Sequence, residues 1–180
     1  MTTGDLEWPA TGERLDAASF EKRQREGGLV ILHMIPESAV DFLMSRPDVM
    51  IASDALPLLG GRGHPRVSGT FARVLGRYVR DKKVVSLPDA IRRMTYLPAE
   101  RVRGAAPEMA RKGRLAAGAD ADLVVFDPDV VVDRATFAEP GLPSAGIDHV
   151  IVGGTFVVRN GRDVEGVFPG RPIRREPGSR

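Results

Sequence analysis

The sequence predicts an α/β domain followed by a smaller all-β module, and three observations carry that reading. Two short, apolar, β-branched runs, "LVILH" (29–33) and "VMIAS" (49–53), flank a stretch with helical periodicity. Amphipathic helical patterns then occupy residues 70–104. From about residue 112 the texture changes to β-branched runs punctuated by Gly, Asp and Asn.

Taken in order, residues 16–26 form a polar surface helix stopped by Gly27 and Gly28, since glycine readily adopts the left-handed conformation that ends helices. The run 29–33 is apolar on both faces, the mark of a strand covered on both sides in a parallel sheet. Pro36 opens the next helix, Val40, Leu43 and Met44 recur at helical spacing, and Pro47 closes it. The run 49–53 repeats the buried-strand signature. Strand, helix and strand make a βαβ unit with parallel strands, so His33 and Asp54 emerge on one rim, at the carboxyl ends.

A Gly-rich loop covers 56–69 and lacks the Gly-Lys-Ser/Thr of a phosphate-binding loop. Phe71, Val74, Leu75, Tyr78 and Val79 form the apolar stripe of a helix over 70–81, with Arg73, Arg77 and Arg80 on its solvated face. Ser86 and Asp89 stand at capping-box spacing for a second helix, and a short third ends at Gly104. Asp120 and Asp122 set a turn before the strand "LVVFD" rather than a calcium loop, whose terminal Glu is missing. Gly153-Gly154 and Asn160-Gly161 are hairpin turns. The domain boundaries fall at 1–110, 111–168 and an extended or flexible tail, 169–180.

Composition narrows the function classes. Of 180 residues, 42% are hydrophobic and 28% charged, values of an ordinary globular protein. Lys and Arg are scattered and aromatics make up 6%, which argues against a nucleic-acid partner. No apolar stretch is long enough to span a bilayer and no signal-peptide pattern opens the chain, so a soluble, cytoplasmic protein is expected. With no Cys, any metal must rest on His, Asp or Glu.

Two segments, "KGRLAAGADADLVVFDP" and "HVIVGGTFVVRNG", closely resemble the C-terminal signature of the amidohydrolase superfamily. "HMIPESAVDFLMSRPDVMIASD", "HPRVSGTFARVLGRYVR" and "TYLPAERV" narrow the resemblance to the N-acyl-D-amino-acid deacylases, or D-aminoacylases. It implies part of a (β/α)8 metal-dependent hydrolase barrel, with 29–33 and 49–53 as its last two strands, plus part of a small β-sandwich. It also implies a zinc cofactor, an N-acyl-D-amino acid substrate, and Asp54 as both metal contact and the carboxylate that relays a proton during amide hydrolysis. His33, Met34 and His64 are candidates to line the substrate pocket. Structural alternatives stand beside each: a turn-opening Asp54, a hydrogen-bonded His33, a merely packed Met34 and a solvated loop His64. Where the family usually has Gly after the aspartate, Ala55 stands here, with strain expected if that position needs positive φ.

The family's remaining metal ligands have no counterpart: His33, His64 and His149 are the chain's histidines, and none form His-x-His. The resemblance therefore implies a C-terminal fragment, inactive alone, that forms oligomers or needs a complementing N-terminal segment. Two rivals are a non-catalytic remnant serving association and one half of a split amidohydrolase.

Overall fold

A computed structural model describes residues 2–58 and 60–175; Leu59 in the Gly-rich loop and 176–180 of the expected tail lie outside them. The chain begins with strands β1 (Leu6–Trp8) and β2 (Glu13–Arg14), then helix α1 (Ala17–Glu26). Asp16 caps α1 by accepting the Ser19 N–H at 2.7 Å while Ser19 Oγ accepts the Asp16 N–H at 2.9 Å, and Gly27 ends it at φ 72°. Strand β3 (Ile31–Leu32) pairs antiparallel with β1, giving the sheet order β2-β1-β3.

This pairing corrects the expected parallel unit. Residues 49–53 form no strand, and 29–33 shrinks to two paired residues whose partner is the preceding hairpin. The apolar pattern identified segments suited to a sheet interior but not their partners, and the described residues place no strand between them. Leu29, Leu32 and Ile35 are exposed, Ile35 to 72%. Helix α2 (Glu37–Ser45) lies between them, opened by Pro36 as expected.

The helical layer follows the sequence reading closely. Helix α3 (Arg66–Arg73) runs on as a wider π-helical stretch, Val74–Asp81, then come α4 (Leu87–Met94) and α5 (Tyr96–Val102). Ser86 Oγ caps α4 by accepting the Asp89 N–H. Of the stripe, Val74, Leu75 and Tyr78 are buried whereas Phe71 is exposed. The arginines opposite are engaged: Arg73 with Asp133 at 3.1 Å, Arg77 with Glu37 at 2.9 Å, and Arg80 donating to the Val131 carbonyl at 2.6 Å. Burial alone would raise the Glu37 carboxyl, but hydrogen bonds from Arg77, Lys82 and Tyr78 outweigh it and hold the pKa at about 2.

The β-module is one antiparallel sheet of four strands, β4 (Leu123–Phe126), β5 (Ile147–Val152), β6 (Thr155–Arg159) and β7 (Arg162–Asp163). Gly153-Gly154 and Asn160-Gly161 make its two-residue turns with both φ values positive, as the primed turns of tight hairpins require. Asp122 ties the turn before β4 to the hairpin by accepting the Gly153 N–H at 2.8 Å. Residues 169–175 have no regular structure. The module joins the helices through Val131, fully buried against Ala72 and Leu75. Gly76 permits the approach, since a Cβ there would lie 2.6 Å from the Val131 carbonyl oxygen.

Arg93 is the unexpected core residue, with no exposed surface. Its guanidinium donates to the carbonyls of Met44 at 2.6 Å, Leu43 at 3.0 Å and Val49 at 2.6 Å, and Asp89 stands 3.7 Å away. Leu43 and Met44 lie in the last turn of α2, where carbonyls run short of helical partners, although that of Leu43 also accepts the Arg46 N–H at 3.2 Å. The Arg93 carbonyl in turn accepts the Ile51 N–H at 3.1 Å. Replacing Arg93 with Ala removes the side-chain donor from three carbonyls, of which only that of Leu43 keeps another among the described residues, so Arg93→Ala should lower the unfolding free energy by about 2 kcal/mol or more in urea titration; a loss under about 1 kcal/mol would show those carbonyls to be hydrated instead.

Candidate active site

The irregular segment 46–58 is tied to the helices at Ile51, which is buried with Val74 and Tyr78, and three residues later the backbone enters the left-handed region. Asp54 is that residue, at φ 49°. The left-handed strain expected at Ala55 thus falls on Asp54, a residue type that tolerates this region through its short polar side chain. Such a conformation at a solvent-facing carboxylate is a mark of functional sites. The Asp54 side chain is 80% exposed and meets Arg66 Nη1 at 3.0 Å.

Arg66 is the first residue of α3, and its Nε is buried with no hydrogen-bond partner among the described residues. His64 sits two residues earlier and accepts the Arg66 backbone N–H on Nδ1 at 3.1 Å, which leaves the proton of its neutral ring on Nε2. Burial, and then the charges of Arg66 and His33, push the His64 pKa down, against the opposing pull of Asp54 and Glu7. His33 follows β3 immediately. Its N–H donates to the Asp5 carbonyl at 2.8 Å, and its Nε2 lies 2.9 Å from the buried carboxylate of Glu7. Phe137, from the connection between β4 and β5, bridges the two histidines, its ring centroid 4.5 Å from His33 and 5.1 Å from His64.

The fold therefore gathers His33 and His64 about one aromatic ring, with the Asp54–Arg66 pair beside His64. Met34 is 53% exposed at the start of the link to α2. His149 lies in β5, accepting the Asn160 N–H, away from this cluster. Arg66, Phe137 and Glu7 escaped the sequence reading. Arg66 had a local signal, the Pro65 that starts its helix; Phe137 and Glu7 had none, because their partners are distant in sequence.

The residues present do not fit a zinc ion on their own. No group of three His, Cys, Asp or Glu able to hold a metal exists among the described residues. His33 Nε2 is committed to Glu7 and His64 Nδ1 to the Arg66 amide. Asp54 is the one candidate ligand with its carboxylate open to solvent.

Comparison with known proteins adds a family. The sequence profile described as the amidohydrolase family matches residues 17–158. N-acyl-D-glutamate deacylase from Alcaligenes xylosoxydans xylosoxydans is 43% identical over 163 residues, covering 91% of this chain and 30% of that protein. A crystal structure of D-aminoacylase, reported as defining a novel subset of amidohydrolases, superposes with a TM-score of 0.80 at 34% identity, covering 94% of this chain and 37% of the other. N-acyl-D-glutamate deacylase from Bordetella bronchiseptica, complexed with zinc and a phosphonate mimic of the tetrahedral intermediate, superposes at 0.71 with 38% identity, covering 90% and 37%. The chain spans about 30% of the length of the curated relatives it matches.

The lowered His64 pKa has a definite sign in stability. Below about pH 6.5 the histidine of the unfolded chain takes up a proton before the folded one does, so the unfolded state gains and stability falls as pH drops. The loss begins near the unfolded value and levels off once the pH is below the folded one. Urea midpoints between about pH 8 and about pH 5 should show this decline in the native chain and a shallower one in His64→Gln. Identical slopes would show that His64 titrates freely.

Proposed function

The chain belongs to the amidohydrolase family, and from that premise we propose that it acts as the C-terminal portion of a metal-dependent amide hydrolase of the N-acyl-D-amino-acid deacylase type. The observation that carries the proposal is Asp54, held at left-handed φ in an irregular segment, exposed and facing a cation. Amide hydrolysis needs a group that takes the proton of the attacking water and returns it to the departing amine. A carboxylate held by a guanidinium through one oxygen keeps the other free for that proton. Arg66, whose buried Nε has no hydrogen-bond partner among the described residues, supplies that guanidinium through Nη1.

In this reading 29–33 and 49–53 are the last two strands of a (β/α)8 barrel, and the β-module, 111–168, is part of a β-sandwich flanked by the tail 169–180. The exposure of Leu32, Ile35 and Met50 supports it, because a barrel strand leaves such residues bare when its neighbours are absent. His33, Met34 and His64 line the substrate side. Zinc, when bound, polarises the amide carbonyl, and its ligands other than Asp54 come from outside this chain. The absence of Cys and of any described helix long and apolar enough to cross a membrane supports a cytoplasmic setting. The incomplete ligand set favours a second reading, in which the 180 residues are a non-catalytic association module or half of a split enzyme.

The deciding experiment measures zinc content and hydrolysis of N-acyl-D-amino acids for this chain alone and for a longer chain carrying the upstream histidines of its relatives. Turnover and zinc are expected in the longer chain, with Asp54→Asn lowering kcat by about 10²–10⁴ and leaving KM within a few-fold. A longer chain that binds no zinc and hydrolyses none of these substrates would contradict the assignment.

A further inference from the structure

We propose that Phe137, carried by the β-module, is a positioning residue for the candidate site: it clamps His64 against His33 and thereby fixes Arg66 opposite Asp54. The proposal rests on Asp54 as the reacting carboxylate, and it assigns the second module a part in building the site.

The geometry runs along the connection 133–146. This strap is closed at its base by the paired backbone bonds of Val132 and Ala145, at 3.1 and 3.0 Å. From there it follows the Gly-rich loop and the start of α3. Asp133 pairs with Arg73 at 3.1 Å, and Ser144 Oγ donates to the Ser68 carbonyl at 3.0 Å. Gly141 runs so close to Leu58 that a Cβ there would lie 3.3 Å from Cδ1. Between these anchors Phe137 reaches the two imidazoles, tilted at 52° to His33 and edge-on at 74° to His64.

Each histidine is fixed on its far side. His33 is held by Glu7, whose carboxylate also lies 3.7 Å from Arg14. His64 is bound to the Arg66 amide. Phe137 therefore closes a path from the N-terminal sheet through His33, its own ring and His64 to the backbone of Arg66. The Asp54–Arg66 pair does not hold itself in place, because an ion pair with an 80% exposed carboxylate is readily lost to water. Arg66 is set by its backbone, which starts α3 and donates to His64, and the His64 ring in turn rests on the edge contact with Phe137.

The test uses the 180-residue chain without metal or substrate, so its failure leaves the deacylase reading standing. NMR reads the Arg66 amide exchange rate, the Asp54 carboxyl carbon shift and, as an internal reference, the amides of 147–159. In Phe137→Ala the Arg66 amide should exchange about ten-fold faster or more, and the Asp54 carbon should move toward its position in Arg66→Met. The 147–159 amides should keep their rates, and Phe137→Tyr should restore both site signals. Unchanged Arg66 and Asp54 signals would overturn the proposal, as would equal acceleration across the chain, which marks a packing role alone. Should Phe137→Ala fail to fold, Phe137→Leu is read by the same criteria.

Discussion

A guanidinium with no solvent exposure holds the backbone that leads to the candidate carboxylate. Arg93 takes up carbonyls from the last turn of α2 and from Val49, while its own carbonyl receives the Ile51 N–H. Burying a charge costs several kcal/mol unless its donors are satisfied, and here two carbonyls at the negative end of a helix and that of Val49 satisfy them. The segment 46–58 has no sheet of its own, so this arrangement and the burial of Ile51 anchor the stretch that ends in Asp54. From the other side, the strap of the β-module presses on the Gly-rich loop and the start of α3. The carboxylate and its guanidinium partner thus sit between two independent supports, one in the helical layer and one in the β-module.

Such support makes sense of an apparent imbalance. Residues 29–56 carry many exposed apolar side chains, including Leu29, Met34, Ile35, Phe42 and Leu56, on segments that make few backbone bonds. A patch of this kind ordinarily marks a surface that something covers. The comparison structures contain a fold similar to nearly all of this chain within a much longer polypeptide. The side that bears Asp54 and His33 is the side with bare apolar residues, whereas the helices and the β-module share a closed core around Val131.

What the sequence revealed was local chemistry. The Gly27 stop of α1, the Pro36 start of α2, the Ser86 cap of α4 and the Asn160-Gly161 turn are each decided within a few residues, and each formed where expected. The helix expected from 70 begins at Arg66, because Pro65 starts it and Gly69 does not break it. Pairing was not legible. "VMIAS" has a strand's composition, yet composition cannot supply a neighbour, and β3 found the unforeseen β1 instead. Nothing local marked Arg93 as a core residue, since its acceptors lie 44 to 50 residues away. Asp54 and His64 could be singled out through motifs, but their relation through Arg66 and Phe137 exists only in three dimensions.

The account's central claim is that a well-anchored scaffold presents an uncovered half-site, and backbone hydrogen exchange of the isolated chain measures this most directly. Amides of β5, β6 and α4 should exchange slowly, together with Ile51 and His33, whose N–H groups are bonded. Outside β3, and apart from Val49 and Ala55, whose N–H groups are also bonded, the remaining amides of 29–35 and 49–58 should exchange at rates close to those of an unstructured peptide. Slow exchange throughout 29–35 and 49–58 would mean that these segments are paired and covered within the chain itself, which contradicts the account.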